Sequence, residues 1–291
     1  CLRGNFSPSY CRRSRSLRLE HPAAITSSVR KFIKTPEEIA DGLARIRDIG
    51  YPAVQISGLG EYDPEWMKTT CDDLGLTICA THEGNTTIVN ESESVVDKMQ
   101  VMDVKYVGYP YPHTGPFKSA EDVQTVIDGL NRAAPVLADA GLVLVYHNHN
   151  IEFLKFDGRP ALERIYEETD PELVQAEPHT HWIQAGSAYP VRWCRRLSGR
   201  MPVLHMKDYG VDIEDGKSRK IMPIGEGNLN WEAICGAAEE AGCEWYVVEQ
   251  DGGELHPLHG SARAKWVERE RVAIARAADG VGLPARGGRG G

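Results

Sequence analysis

The feature that most constrains this chain is an eightfold alternation of short β-branched or apolar runs with longer stretches rich in Ala, Leu, Glu and Lys. The runs fall at residues 23–29, 52–57, 76–80, 105–109, 142–147, 173–177, 202–207 and 245–249. An amphipathic stretch follows each of them, at 36–48, 64–74, 91–102, 119–140, 160–168, 188–199, 231–241 and 260–278. Strands separated by helices pair in parallel, with the helices covering the sheet. Eight such units favour a closed α/β barrel, (β/α)8, over an open sheet, and 291 residues are enough to build one.

Local signals agree with that reading. Thr35 precedes Pro36 and has Glu38 three residues on, which is the spacing of a capping box with proline in the first helical turn. Gly50, Gly75, Gly141 and Gly242 each stand just before a strand, where a left-handed residue stops a helix. Residues 1–22 show neither period; five arginines sit among the first twenty residues with one acid, Glu20. That composition suits a transit peptide or an aberrant upstream segment, and it is expected to lie outside the fold and to be disordered. The barrel is assigned to 23–280, and the Gly-rich 281–291 to a flexible tail.

Charge and composition narrow the partners. A formal net charge of −9 repels a phosphate backbone and argues against nucleic acid. No apolar run approaches the ~18 residues of a membrane span, so no membrane partner is expected. The seven cysteines are scattered and contain no CxxC pair, which points to reduced thiols and a cytoplasmic setting. A small molecule is the remaining partner class.

Barrels of this kind place chemistry at the carboxyl ends of their strands, and four consecutive runs here end in reactive side chains. The fifth is followed by His147-Asn148-His149-Asn150-Ile151-Glu152; the sixth runs through Glu177-Pro178-His179-Thr180-His181-Trp182; the seventh contains His205-Met206-Lys207-Asp208; the eighth ends in Glu249-Gln250-Asp251. Alternate residues of a strand share a face, which aligns His205 with Lys207, Glu177 with His179, and Glu249 with Asp251. Carboxylates and neutral imidazoles converging there with open water positions suit a catalytic divalent metal held at ~2.0–2.2 Å. A lone histidine at a strand end is more often a hydrogen-bonded structural residue, and that holds for His82 and His113. Lys207 and Asp208 suit a plain salt-bridged strand end equally well. Glu249 is different, because a carboxylate closing the run Tyr246-Val247-Val248 is costly to bury without a cation. The loop Pro223-Ile224-Gly225-Glu226-Gly227 lacks the context of a phosphate loop and reads as a tight turn into the seventh helix.

The segments YHNHNIEF (146–153), LHMKD (204–208), PIGEGNLNW (223–231) and WYVVEQD (245–251) resemble the sugar phosphate isomerase/epimerase, or xylose isomerase-like, TIM-barrel family. The likeness runs from about Val29 to Asp251. It implies a divalent metal, most often manganese, held by Glu152, His179, His205 and Glu249, with Glu152 and Glu249 as the acid and base. His147, His149, Trp182 and Lys207 then orient or cover the sugar. One position departs from the family pattern: His179 stands where an aspartate is expected, and a neutral imidazole there favours zinc, iron or cobalt over harder cations. The implied activity is metal-assisted isomerisation or epimerisation of a ketose or keto-sugar. The same site also serves β-elimination from a keto-sugar or inosose, and the altered position admits a sugar-binding relative with impaired catalysis. A metal-dependent endonuclease of the same fold needs a basic groove, which the acidic balance opposes. The resemblance also allows a homo-oligomer.

Overall fold

The computed structural model describes residues 21–30, 33–211 and 220–252. Eight strands form one parallel sheet: β1 (Pro22–Ile25), β2 (Ala53–Ile56), β3 (Thr77–His82), β4 (Tyr106–Tyr109), β5 (Val143–His147), β6 (Val174–Glu177), β7 (Val203–Met206) and β8 (Trp245–Val248). Each pairs in parallel with its sequence neighbour from β1 to β6, and β8 lies between β1 and β7. A single bridge between His179 and His205 joins the β6 and β7 edges, with the His205 N–H donating to Pro178 O at 3.0 Å. Ring closure thus falls at the point where two of the expected site residues meet.

Two apolar layers hold the barrel. Inward positions including Ala23, Ile25, Ala53, Ala80, Tyr106, Val145, Val203 and Val247 fill its interior. Outward positions such as Val54, Val107, Leu144, Val174 and Leu204 pack against the helices. The chemistry must therefore sit above this plug, at the carboxyl ends of the strands.

The nine helices of the described residues are α1 (Pro36–Ile49), α2 (Pro64–Asp73), α3 (Asn85–Asn90), α4 (Ser92–Met102), α5 (Ala120–Asp139), α6 (Ala161–Glu167), α7 (Thr180–Ala185), α8 (Pro190–Arg196) and α9 (Trp231–Glu240). The expected capping box opens α1: Glu38 N donates to Thr35 Oγ1 and Thr35 N to Glu38 Oε2. Gly50, at φ 100°, takes the left-handed conformation that ends the same helix. No helix among the described residues is long and apolar enough to cross a membrane. Cys71, Cys79, Cys194, Cys235 and Cys243 are free thiols.

Three details differ from the sequence reading. The first run is a strand only to Ile25; Thr26–Val29 forms a 3-10 turn. There the Thr26 hydroxyl donates to Ser57 O and accepts from Ser57 N, so a side chain takes over the pairing a longer strand would have made. The amphipathic stretch 188–199 is helical only over 190–196, and the additional helices α3 and α7 lie at the barrel mouth. The expected helix 260–278, the segment 1–20 and the tail 281–291 lie outside the described residues.

The strand end at Lys207 is salt-bridged, to Glu249 and Asp251, and not to Asp208, because adjacent residues of an extended chain point to opposite sides. Asp208 instead pins the following loop: its buried carboxylate accepts from Tyr209 N (2.7 Å), Gly225 N (2.8 Å), Gly227 N (3.0 Å) and Trp231 Nε1 (2.8 Å). A Cβ at position 227 would collide with that carboxylate, so the loop carries glycine there for close approach. Asp208→Ala strands these donors and is expected to cost about 2–5 kcal/mol of stability, read as a lowered midpoint in urea or thermal unfolding. A midpoint within error of the unaltered chain would show that the loop is held by something else.

Candidate metal centre and acid–base site

Every group in the barrel mouth is explained by where its strand ends. Gln55 points inward from β2, His82 and His147 are the last residues of β3 and β5, and Glu177 ends β6. His179 lies two residues beyond Glu177, His205 is on β7, and Lys207, Glu249 and Asp251 follow the ends of β7 and β8. Glu152, Glu177, His179, His205 and Lys207 are all fully buried. Water cannot screen these charges, so each must be answered by a neighbour.

Glu177 organises the set. Its Oε1 accepts from Gln55 Nε2 at 2.8 Å, and its Oε2 faces His82 Nε2 at 2.7 Å and His147 Nδ1 at 3.1 Å. Burial alone would raise its pKa, but His205, His82 and the hydrogen bonds from His147 and His205 outweigh that and hold it well below the usual carboxylate range. An ionised carboxylate only accepts, so His82 and His147 must donate to it, and Gln55 must turn its NH2 toward it. The Gln55 carbonyl oxygen then faces His205 Nε2 at 2.6 Å, making that nitrogen a donor too. His147 and His205 are left with their other nitrogens directed away from Glu177. For His82 that other nitrogen accepts from Ser57 Oγ at 3.1 Å.

The nitrogens set free in this way meet a carboxylate. His147, His179, His205 and Glu249 offer donor atoms all within 4.8 Å of one another. His205 Nδ1 lies 3.1 Å and His179 Nε2 3.5 Å from Glu249 Oε2. The His179 nitrogen is buried with no hydrogen-bond partner. Burial lowers the His179 pKa to about 3 against the opposing pull of Glu249, so the imidazole is neutral; its Nδ1 accepts from Trp182 N at 3.5 Å, which leaves the ring proton on Nε2, the nitrogen that faces Glu249. A cation could take the place of that proton between His179 and Glu249, and the donor set of three imidazoles and one carboxylate fits a divalent metal. A second group, His82, His147, Glu177 and His205, meets the same distance criterion, but its atoms are already paired with one another.

Glu152 stands apart from both groups. It sits in the 3-10 turn Ile151–Phe153, where its Oε2 accepts from His149 N at 2.8 Å and its Oε1 from Tyr146 OH at 3.2 Å. The four residues implied by the resemblance therefore do not all converge: His179, His205 and Glu249 come together, His147 joins them, and Glu152 is held by its own turn. Burial pushes the Glu152 pKa up to about 7 against its three hydrogen bonds, the range in which one carboxyl can both take and give a proton at neutral pH. His149 stacks edge-on with His147 at 5.2 Å and lies 5.4 Å from Trp182. Lys207 binds Glu249 at 2.9 Å and Asp251 at 2.5 Å, with its ammonium 5.3 Å from the centre of the Trp182 ring. Burial would raise Glu249 as well, but His179, Lys207 and His205 together keep it ionised.

Sequence reasoning passed over Gln55 and treated His82 as structural. The signal for Gln55 was a lone amide inside Ala53–Ile56, where burial of every neighbour makes an unpaired polar group costly. His82 ends its strand with Nε2 2.7 Å from Glu177 Oε2, a proximity visible only once the barrel is closed.

A barrel with metal-capable imidazoles and carboxylates at its mouth defines a class of small-molecule enzyme folds. Residues 43–271 match the model of the xylose isomerase-like TIM barrel family, and this chain belongs to that family. It is 23% identical to an inosose dehydratase of Geobacillus kaustophilus over 262 residues, covering 77% of this chain and 84% of the relative. A second inosose dehydratase, of Geobacillus thermodenitrificans, is 26% identical over 175 residues, covering 55% of this chain and 58% of that relative. The chain thus spans little more than half the length of that second relative. Among solved structures, a sugar phosphate isomerase/epimerase of Parabacteroides distasonis superposes with a TM-score of 0.73 at 22% identity, covering 91% of this chain and 97% of the other.

Two outcomes test this geometry. Glu177→Gln replaces an acceptor-only group with one that also donates, which misorients the His147 and His205 rings; zinc affinity, measured by competition with a chromogenic chelator, should fall about 10–100-fold. Unchanged affinity would remove the role given to Glu177. For Glu152, the unfolded chain ionises near 4.5 and the folded one near 7. Between those values only the folded state holds the proton, so this contribution to stability is full below about 4.5 and lost as pH rises through about 7. Glu152→Gln cannot ionise and should gain roughly 3 kcal/mol on the parent chain in going from pH 4 to pH 8. Urea unfolding at the two pH values measures the difference, and a gain of the opposite sign would contradict it.

Proposed function

We propose that this chain is a metal-dependent enzyme that transfers a proton at the carbon next to the carbonyl of a small keto-sugar or keto-cyclitol, as an isomerase or epimerase. One observation carries the reading: a carboxyl poised near neutrality, Glu152, stands in the same barrel mouth as a buried set of three imidazoles and an ionised carboxylate suited to a cation. His147, His179, His205 and Glu249 would hold the ion, their nitrogen-rich character suiting zinc, iron or cobalt as well as the manganese common in the family. Bound there, a divalent cation supplies Lewis-acid polarisation of the carbonyl oxygen and makes the neighbouring carbon more acidic.

The remaining work falls to side chains. Glu152 takes the α proton as carboxylate and returns it as acid, because its pKa lies close to the working pH. Glu249, ionised and tied to Lys207, is the second carboxylate and would share proton handling where inversion requires delivery to the other face. Lys207 offers an ammonium to the charge that develops on oxygen. Trp182 and His149 provide an aromatic wall for a sugar face, and His149, a neutral imidazole whose pKa burial lowers to about 4, can hydrogen-bond a hydroxyl without adding charge.

A second reading is dehydration, favoured by the two Geobacillus relatives, both inosose dehydratases. It begins with the same proton removal and then expels a β hydroxyl, to which the protonated Glu152 can donate. Incubating the chain in heavy water with a panel of ketoses and an inosose, with and without chelator, separates these outcomes. Metal-dependent deuterium at the α carbon of recovered or isomerised sugar is the expected result, and Glu152→Gln should slow its appearance about 10²–10⁴-fold. A dehydrated product identified by mass would select the second reading. Neither deuterium nor dehydration with any member of the panel would remove both.

A further inference from the structure

Three side chains from different strands form a line of hydrogen bonds ending on a serine hydroxyl that the metal-capable centre does not use. Ser57 follows the end of β2, His82 ends β3 and Glu177 ends β6. Ser57 Oγ donates to His82 Nδ1 at 3.1 Å, and His82 Nε2 donates to Glu177 Oε2 at 2.7 Å. Glu177, as an ionised carboxylate, only accepts. In the neutral ring the His82 proton is therefore on Nε2, and the Nδ1 lone pair faces the serine. A hydroxyl, an imidazole placed to take its proton and a carboxylate that fixes the tautomer are the parts of an activated serine nucleophile. The ring is used in the opposite sense to the serine proteases, where Nε2 faces the hydroxyl, but either nitrogen is a base once the other is fixed as donor.

The surrounding chain holds this line in place and opens it to a ligand. Ser57 N donates to Thr26 Oγ1 at 2.8 Å, and the Thr26 hydroxyl donates to Ser57 O at 2.7 Å. Gly58, at φ 66°, turns the backbone directly after the serine. Gly108 leaves room for the His82 ring, which a Cβ there would overlap. Ser57 and His82 both line a cavity of about 490 Å³ at the carboxyl ends of β2 and β3, a size within the ~300–1,000 Å³ of small-molecule sites. Ile56, Leu59 and Tyr62 give it apolar surface, and the backbone of residues 58–60 and Lys98 line it with N–H groups and an ammonium.

We propose that Ser57, His82 and Glu177 form a nucleophilic triad that gives this chain a second activity, hydrolysis of small carboxylic esters. Ser57 Oγ attacks the acyl carbon while its proton passes to His82 Nδ1. The bond from that carbon to the alcohol oxygen breaks, and the alcohol leaves with the proton from His82. Water then attacks the acyl-serine and gives a proton to His82; the bond to Ser57 Oγ breaks, the serine recovers the proton and the carboxylic acid departs. The N–H groups of residues 58–60 and the Lys98 ammonium are the donors for the oxyanion formed in each half. This activity needs neither a metal nor a keto group and is independent of the keto-sugar reading.

The test is covalent capture. The full chain with zinc bound is incubated with a fluorophosphonate probe and, separately, with p-nitrophenyl acetate. Peptide mass spectrometry should find the phosphonyl and acetyl groups on Ser57, and p-nitrophenol should appear in a burst followed by slower turnover. Ser57→Ala should lose both adducts and the burst, and His82→Gln should slow phosphonylation of Ser57 about 100-fold. A serine that merely holds the His82 ring would stay unmodified. No adduct on Ser57 in the unaltered chain, a result that depends on no variant folding, or phosphonylation as fast in His82→Gln would overturn the proposal. Adducts on Ser57 without deuterium exchange in any ketose would remove the keto-sugar reading and leave the triad standing.

Discussion

A buried carboxylate with no water to screen it sets the rest of the barrel mouth. Glu177 lies at the end of β6 with no exposed surface, and its charge is tolerable only because Gln55, His82 and His147 turn donors toward it. That requirement fixes the orientation of an amide and the tautomers of the imidazoles around it. It reaches His205 both through Gln55 and directly, with His205 Nε2 3.3 Å from Glu177 Oε1. The second nitrogens of His147 and His205 are thereby turned to the opposite side, where Glu249 and His179 Nε2 lie; burial would lower the His205 pKa, but Glu177 and Glu249 raise it to about 9, so the proton on its Nδ1 is one that a cation would displace. The metal-capable centre is in this sense a by-product of solving one burial problem.

The same logic divides the two remaining carboxylates by role. Glu249 is kept ionised by a lysine and two histidines, whereas Glu152 is surrounded by a tyrosine hydroxyl and a backbone N–H that only partly offset its burial. Carboxyl groups of the same intrinsic acidity are thus separated by environment, one fixed as an anion and one poised near neutrality. Such a division is what acid–base chemistry beside a carbonyl requires. The replacement of an expected aspartate by His179 fits this scheme without emptying it, since a neutral nitrogen replaces an anionic oxygen in a set that retains Glu249.

Stability and function meet in the loops of the mouth. Asp208 gathers the donors of the 223–231 loop, and Thr26 ties the first strand to the second through Ser57. Ser57 also holds His82, so the end of β1 is connected to the Glu177 network by two hydrogen-bonded steps. These contacts lie above the apolar plug of the barrel interior, in a layer where polar groups satisfy one another.

The order of strands and helices was legible in the chain because periodicity is a local property: alternation of period two or 3.6, caps such as Thr35 and Glu38, and glycines such as Gly50 act within a few residues. The strand ends bearing His147, Glu177, His205 and Glu249 could be named for the same reason. Which of their atoms meet could not be, because that depends on register between strands far apart in sequence and on the direction of each hydrogen bond. Gln55 went unread within an apolar run, and the hydrogen bonds that the turn at Ile151–Phe153 gives Glu152, from Tyr146 and His149, could not be named in advance. Residue spacing could supply the list of donors, but only burial in three dimensions, which forces every charge to find a partner, decided how they are shared.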